Sequence, residues 1–239
     1  MSTEASAFTS AELMIALLAR EVRGLGHVVV GQLSPLPAAA ALLAQASGST
    51  QATILGSRRY NSFTDGAREL FDCAAEGRID AFFLSGGQID GSANLNLVGI
   101  GDPAQPPRVR FPGSFGSAYL YFLVPKIVLF REEHSRRSLV AKVDFISAPG
   151  TSPPGVYRPG GPKVLVTGLA RFSFDRRFRL ESIHPGHDLA EIEAATGFDF
   201  DRADPVIETP APTAAELDLI RSRVREELAE AYPLFAAAM

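Results

Sequence analysis

The sequence predicts an α/β protein built on an open, mostly parallel sheet flanked by helices. Short apolar runs rich in Val, Ile and Phe alternate with helical patterns through the first third of the chain, and strands covered on both faces read as continuous apolar stretches. Of the 239 residues, 46% are hydrophobic and 21% charged, the balance of a soluble globular chain with a sizeable core. Gly 21 and Pro 17 add many tight turns, which speaks against a helical bundle.

Taken in order, Thr9 and Glu12 have the spacing of a capping box, with Leu13, Ala16, Leu17 and Ala19 on one face of the helix it opens. Residues 27–33 read as a strand, and Pro35-Leu36-Pro37 breaks it before an alanine-leucine helix over 38–45. The alternation recurs as a strand over 50–55, a helix over 65–75 and a buried strand over 79–84 that enters Gly86-Gly87. Beyond Asp102, strands are expected over 108–111, 126–131, 142–147, 164–174 and 178–184, and helices become scarce. Segment 147–162 carries Pro149, Pro153, Pro154, Pro159 and Pro162 and must be a surface loop. A helix over 188–196 stops at Gly197, and a second capping box, Thr213 with Glu216, opens another. No repeat and no flexible linker divides the chain, so one domain over 1–239 is expected, with a helical tail over about 205–239.

Composition excludes several function classes. A lone Cys73 supports neither a disulfide framework nor a cysteine-rich zinc site, and a reducing compartment fits it. Lys+Arg 23 against Asp+Glu 27 leaves a net charge of -4, which offers no footprint for nucleic acid or an anionic membrane. Glu4 stands where an export signal would be positive, the apolar stretch 13–19 is short, and no run approaches the ~20 residues that span a bilayer. A cytoplasmic protein is expected.

The most informative stretch is Ser85-Gly86-Gly87-Gln88-Ile89-Asp90-Gly91-Ser92-Ala93-Asn94-Leu95-Asn96, at the carboxyl end of a buried strand, where open α/β sheets bind ligands. Gly86 and Gly87 would let a ligand approach the backbone, and Gln88, Asp90, Asn94 and Asn96 supply short polar groups to orient it. The same residues also suit an Asx-rich turn that satisfies its own backbone. No Gly-Lys-Ser/Thr follows, so this is not a Walker loop.

Here the sequence resembles the family I CoA-transferases, in particular the β-type subunit of the glutaconate enzyme. The resemblance is carried by Gly86-Gly87-Gln88-Ile89-Asp90 with Asn94-Leu95-Asn96 and Gly101-Asp102, and by Phe111-Pro112-Gly113-Ser114-Phe115-Gly116, which is similar to that family's Gly-Ser-Gly-Gly turn. Residues 126–137, Lys142-Val143-Asp144-Phe145 with Ser147-Ala148-Pro149-Gly150, and Thr196-Gly197-Phe198-Asp199 follow in the family's order, over roughly residues 10 to 225. The resemblance implies the fold named above. It also implies an acyl-CoA thioester as substrate, no permanently bound cofactor, an α-type partner subunit, and Gly86, Gly87, Gln88, Asp90, Asn94, Asn96, Gly113, Ser114 and Gly116 at the substrate and CoA site.

Two departures bear on mechanism. Members of the family carry, at the end of the second strand, a glutamate that attacks the acyl-CoA, forming an anhydride and then a glutamyl-CoA thioester. Here that position is Gly56, and the nearest acids, Asp65 and Glu69, fall in the next helix. The third position of the turn is Phe115, which alters the backbone opening for an oxyanion, although the amides of Gly113, Ser114 and Gly116 could still donate. One branch, a heteromeric hydrolase that opens a ring of a steroid-derived CoA thioester, also lacks the glutamate in its β-type subunit and keeps the working carboxylate on the α-type chain.

Other polar clusters read more plainly. His184-Pro185-Gly186-His187 could bind a metal or serve as acid or base, but two histidines without a Cys ligand read more readily as a turn and a helix start, and no metal is expected. Glu132-Glu133-His134 with Arg136 and Arg137 reads as a solvated strand end, Arg58-Arg59 as a strand end or a phosphate contact, and Cys73 as a buried small residue. The reading is therefore a subunit of a heteromeric enzyme that transfers CoA or hydrolyses its thioester. A ring-opening hydrolase subunit, a silent scaffold or CoA-ester-binding subunit, and a sugar-phosphate isomerase of related architecture stand as alternatives.

Overall fold

The computed structural model describes residues 8–239; Glu4, whose charge bears on export, lies outside them. The described chain packs as two compact units, one formed by the chain up to Gly66 together with Pro210–Met239, the other by Ala67–Thr209. Each is taken by itself.

The first unit opens with α1 (Ser10–Val22), β1 (His27–Val30), α2 (Pro35–Ala46) and β2 (Gln51–Ile54). The capping box forms: Thr9 Oγ1 accepts from the Glu12 amide at 3.2 Å, and the Thr9 amide donates to Glu12 Oε2 at 2.8 Å. Helix α2 starts earlier than the sequence suggests, because a proline in the first turn gives up an N–H that has no helical partner there. Its alanines at 38–41 are fully buried, and their small side chains let α1 lie close against it. Strands β1 and β2 pair in parallel, Val28 opposite Ala52 and Val30 opposite Ile54.

The second unit contains α3 (Gly66–Ala75), β3 (Ala81–Leu84), the hairpin β4 (Gln88–Ile89) and β5 (Leu95–Asn96), and the hairpin β6 (Gly99–Ile100) and β7 (Val109–Arg110). There follow α4 (Ser117–Leu123), β8 (Lys126–Arg131), β9 (Pro162–Thr167), β10 (Ala170–Asp175), β11 (Arg177–Ile183), α5 (Leu189–Ala195) and β12 (Asp201–Glu208). Its main strands run in the order β12-β11-β10-β9-β8-β3. Neighbours β3–β8, β8–β9 and β11–β12 are parallel, and β9–β10–β11 form an antiparallel meander. The mostly parallel α/β sheet expected from the sequence is thus present, and β3 is buried along its whole length. The chain then returns to the first unit as α6 (Ala214–Leu219), a π-helical turn over Ile220–Val224, α7 (Arg225–Leu228) and α8 (Pro233–Ala238).

Three local expectations are corrected, and one helix lies where no element was expected. Residues 142–147 are not a strand: the Val143 and Asp144 amides donate to the Asp90 and Gln88 side chains at 3.4 and 2.9 Å, and the Ser147 amide donates to the Leu95 carbonyl, leaving no ladder to form. Residues 164–174 are two strands, β9 and β10, turned at Gly168, where an added Cβ would stand 2.3 Å from the Glu132 carbonyl oxygen. The aromatic run of α4 carries strand-like residues but forms a helix after the left-handed Gly116. The tail becomes helical only at Ala214, since β12 occupies residues 201–208; its mostly exposed, proline-bearing sequence suits the end of the strand order.

Candidate functional site

Strand β3 delivers the chain to Gly86, and the β4–β5 hairpin pairs Gln88 with Asn96. Asn96 is wholly buried. Its amide nitrogen donates to Gln88 Oε1 and to the Gly99 carbonyl, both at 2.7 Å, and its Oδ1 accepts from the Val98 and Gly99 amides at 3.0 and 3.2 Å. Asp90 Oδ1 accepts from the Ser92 and Asn94 amides at 3.0 and 3.1 Å, and Oδ2 from Asn94 Nδ2 at 3.1 Å. Asn94 Oδ1 in turn accepts from the Gly150 amide at 3.1 Å. Gln88, Asp90, Asn94 and Asn96 are therefore brought together, and their hydrogen bonds set the shape of the loop and anchor segment 143–150 to it. Asp90 and Asn94 also line a hollow of about 530 Å³ with Lys142, Arg176, Arg177 and Asp199.

The glycines have an internal cause. A Cβ at Gly87 would stand 2.2 Å from the Phe111 ring, so the approach over Gly87, expected for a ligand, is filled by Phe111. Arg131, at the carboxyl end of β8, steadies the same bend by donating from Nη1 to the Gly86 carbonyl at 3.2 Å. Nothing in the sequence singled out that arginine.

In the turn after β7, the Gly113 amide donates to the Leu97 carbonyl at 3.1 Å, which takes it out of the set of available donors. The Ser114 and Gly116 amides have no partner among the described residues. Phe115 adopts a left-handed backbone, φ 37, with its ring 70% exposed and tilted against Phe71 at 6.0 Å. The side chain thus turns outward, while the Phe71 ring lies over Gly116, where an added Cβ would stand 2.4 Å from it.

In the first unit, Gly56 follows β2 by two residues. Beside it, Ser57 Oγ donates to Glu230 Oε2 at 2.6 Å and accepts from the Arg59 and Tyr60 amides, while the Arg58 amide donates to Glu230 Oε1 at 2.8 Å. The Ser57 and Arg58 bonds hold the Glu230 carboxyl below the usual carboxylate range. Arg59 lies 3.8 Å from Glu227, which also accepts from Arg223 at 2.9 Å. The loop after β2 is therefore clamped by the C-terminal helices. A Cβ at Gly56 would meet Tyr232 Oη at 3.4 Å.

The histidine motifs are structural. His134, read from the sequence as part of a solvated strand end, is instead buried, with its ring nitrogens 2.7 and 2.9 Å from Thr167 Oγ1 and Thr196 Oγ1. His184 is buried between Thr209 Oγ1 and the Thr167 carbonyl, both at 2.9 Å, whereas His187 pairs with Glu191 at 2.8 Å. Burial pushes both His134 and His184 down to about 4, so both are neutral near pH 7. Glu133 is held at about 2 by Arg137 and Ser135. Cys73 is buried. No group of three or more His, Cys, Asp or Glu suited to a metal occurs among the described residues.

These features define a class. The coenzyme A transferase family model matches residues 15–192, and the chain belongs to that family. It is similar to one subunit of the 3-oxoadipate CoA-transferase of Pseudomonas knackmussii, 33% identical over 155 residues that make up 61% of this chain and 59% of the relative. It is also similar to the cholesterol ring-cleaving hydrolase IpdB subunit of Rhodococcus jostii, 31% identical over 64% of this chain and 62% of the relative. The matches thus span about three-fifths of the length of these relatives. Among solved structures, the decarboxylase AibA/AibB superposes with a TM-score of 0.79 at 26% identity, covering 97% of this chain and 98% of that one.

Proposed function

We propose that this chain is the β-type subunit of a heteromeric enzyme that binds and processes an acyl-CoA thioester, by CoA transfer or by hydrolysis, with the catalytic carboxylate on an α-type partner. The observation that carries the reading is Gly56. No carboxylate is offered at the end of β2, and the acids that reach this loop, Glu227 and Glu230, are held by Arg223 and Arg59 and by Ser57 and the Arg58 amide. The names of two relatives, one a CoA-transferase subunit and one a hydrolase subunit, support both reaction types. Coenzyme A enters as part of the substrate and not as a resident cofactor. The loop over 86–96 and the turn over 113–116 shape this chain's side of the substrate site, with the Ser114 and Gly116 amides as donors to a carbonyl or oxyanion. No helix among the described residues is long and apolar enough to cross a membrane, and a cytoplasmic location accords with the single cysteine.

The ring-opening hydrolase reading is favoured by the same glycine, because a water activated by a partner carboxylate needs no covalent store on this chain. Co-expression with the α-type chain, incubation with a panel of acyl-CoA esters and assay of thiol release, with and without a carboxylate acceptor, separates the reactions. Acceptor-dependent exchange identifies a transferase, and thiol release without acceptor a hydrolase. No turnover by a stable pair would overturn the enzymatic reading in favour of a scaffold.

A further inference from the structure

We infer that the Tyr232 hydroxyl is a working group of this chain, donating a hydrogen bond to the substrate from the place where Gly56 leaves the end of β2 open. The inference rests on the acyl-CoA reading above and adds a residue to it. Strands β1 and β2 are parallel neighbours, and ligands of open α/β sheets bind beyond the carboxyl ends of such strands. Three groups of the first unit meet beyond those ends. Gly56 has no side chain there. Tyr232, on the stretch between α7 and α8, puts Oη 3.4 Å from where a Cβ of Gly56 would be. The Ser34 amide, just beyond β1, is 3.4 Å from the same Oη and approaches it as a donor.

That contact uses a lone pair of the phenol and leaves its proton free, since no acceptor for it occurs among the described residues. Burial raises the Tyr232 pKa above that of an ordinary phenol, so the hydroxyl stays protonated at neutral pH and serves as a donor, never as an anionic nucleophile. A neutral donor beside the sheet end suits the carbonyl oxygen of a thioester, which gains negative charge as it is attacked. It does not suit covalent storage of the acyl group. Ser57, the other hydroxyl at this loop, is excluded because its proton is committed to Glu230 and its lone pairs to two backbone amides.

The alternative role for Tyr232 is a plug that fills the space a side chain at position 56 would take, and two variants separate the roles. In the assembled complex, Tyr232→Phe keeps the ring and removes the hydroxyl, whereas Tyr232→Leu removes both. Turnover of an acyl-CoA panel is followed by thiol release and acceptor-dependent exchange, with thermal unfolding as the folding control. For Tyr232→Phe we expect an unchanged melting temperature, a fall in kcat of about ten- to a hundredfold and a KM within about threefold of the parent, since the bond strengthens only as charge develops. Full activity of Tyr232→Phe alongside a defective Tyr232→Leu would establish a plug and overturn the inference. An active parent complex with both variants active overturns it as well. A parent complex inactive on every ester removes the acyl-CoA reading itself, and this inference with it.

Discussion

Arg20 Nη2 donates to Glu216 Oε2 at 2.6 Å, and the relationship is reciprocated: Arg221 Nε donates to Glu12 Oε1 at 2.6 Å. Each glutamate also closes a capping box, Glu12 for α1 and Glu216 for α6, so the first helix and the C-terminal helices exchange arginines through their caps. Burial works against ionisation of Glu216, yet the Arg20 guanidinium and the Thr213 bonds prevail and hold its carboxyl at about 2. A tail that comes last in sequence is thereby fixed to the first helix, and the same tail carries Glu227, Glu230 and Tyr232 to the loop after β2.

Glu216→Ala removes a cap and leaves Arg20 without its carboxylate partner, and should cost about 2–3 kcal/mol. Glu216→Gln keeps the cap geometry and loses only the charge, so it should cost less. Arg221→Ala, at a side chain 43% exposed, should cost about 1 kcal/mol or less. Urea unfolding of the three variants checks the order; equal losses for Glu216→Gln and Glu216→Ala would assign the whole effect to charge.

Acid should weaken the protein in two stages. His134 and His184 titrate at about 4 when folded against an ordinary 6.5, so between these values the unfolded chain binds more protons and stability falls as the pH drops. The shift corresponds to roughly 3 kcal/mol per histidine at the acid limit. Glu216 and Glu133, held at about 2, contribute stability that is complete above about 4.5 and is lost as the pH falls through 2. Urea midpoints at pH 7.5, 6 and 5 test the first stage, and a midpoint that stays constant over this range would contradict the burial of both imidazoles.

Gly87→Ala should destabilise the fold by about 1–3 kcal/mol, because the added methyl drives into the Phe111 ring. Combining it with Phe111→Ala should recover part of the loss, as expected for two residues that share one space. A Gly87→Ala variant with parental stability but weakened acyl-CoA affinity would mean that Phe111 swings aside and the glycine serves the ligand.

After incubation of the complex with acyl-CoA and rapid quenching, peptide mass spectrometry should find no CoA-mass adduct on a carboxylate of this chain. Gly56 has no side chain, and Glu230 is engaged by Ser57 and the Arg58 amide. Gly56→Glu alone should not create efficient transfer. Its Cβ would make only an ordinary contact with Tyr232 Oη at 3.4 Å, but a carboxylate added without groups arranged to orient it lacks the positioning on which acyl transfer depends. An adduct on any Asp or Glu here would relocate the chemistry to this subunit.

The elements that were legible are those whose signals are local. The apolar run of β3, the capping boxes at Thr9 and Thr213, the stop at Gly197 and the proline-rich loop 147–162 each depend on neighbours within a few residues, and each lies where its sequence puts it. Gly86-Gly87 and the Asn94-Leu95-Asn96 run were legible as a tight polar loop for the same reason. The strand expected over 142–147 failed because its amides are taken by Gln88 and Asp90, more than fifty residues earlier, and no pattern within the segment records that.

By itself the sequence determined the alternation of strands and helices, the family resemblance and the absence of any side chain at Gly56, since periodicity, capping and a residue's identity are properties of short stretches of chain. Only the tertiary structure decided that His134 is buried and not solvated, that Phe111 fills the space over Gly87, and that Tyr232 lies against Gly56. Those are contacts between residues far apart in the chain. They exist only once packing has excluded water and fixed which distant side chains share a space, and that selection is made by the fold as a whole.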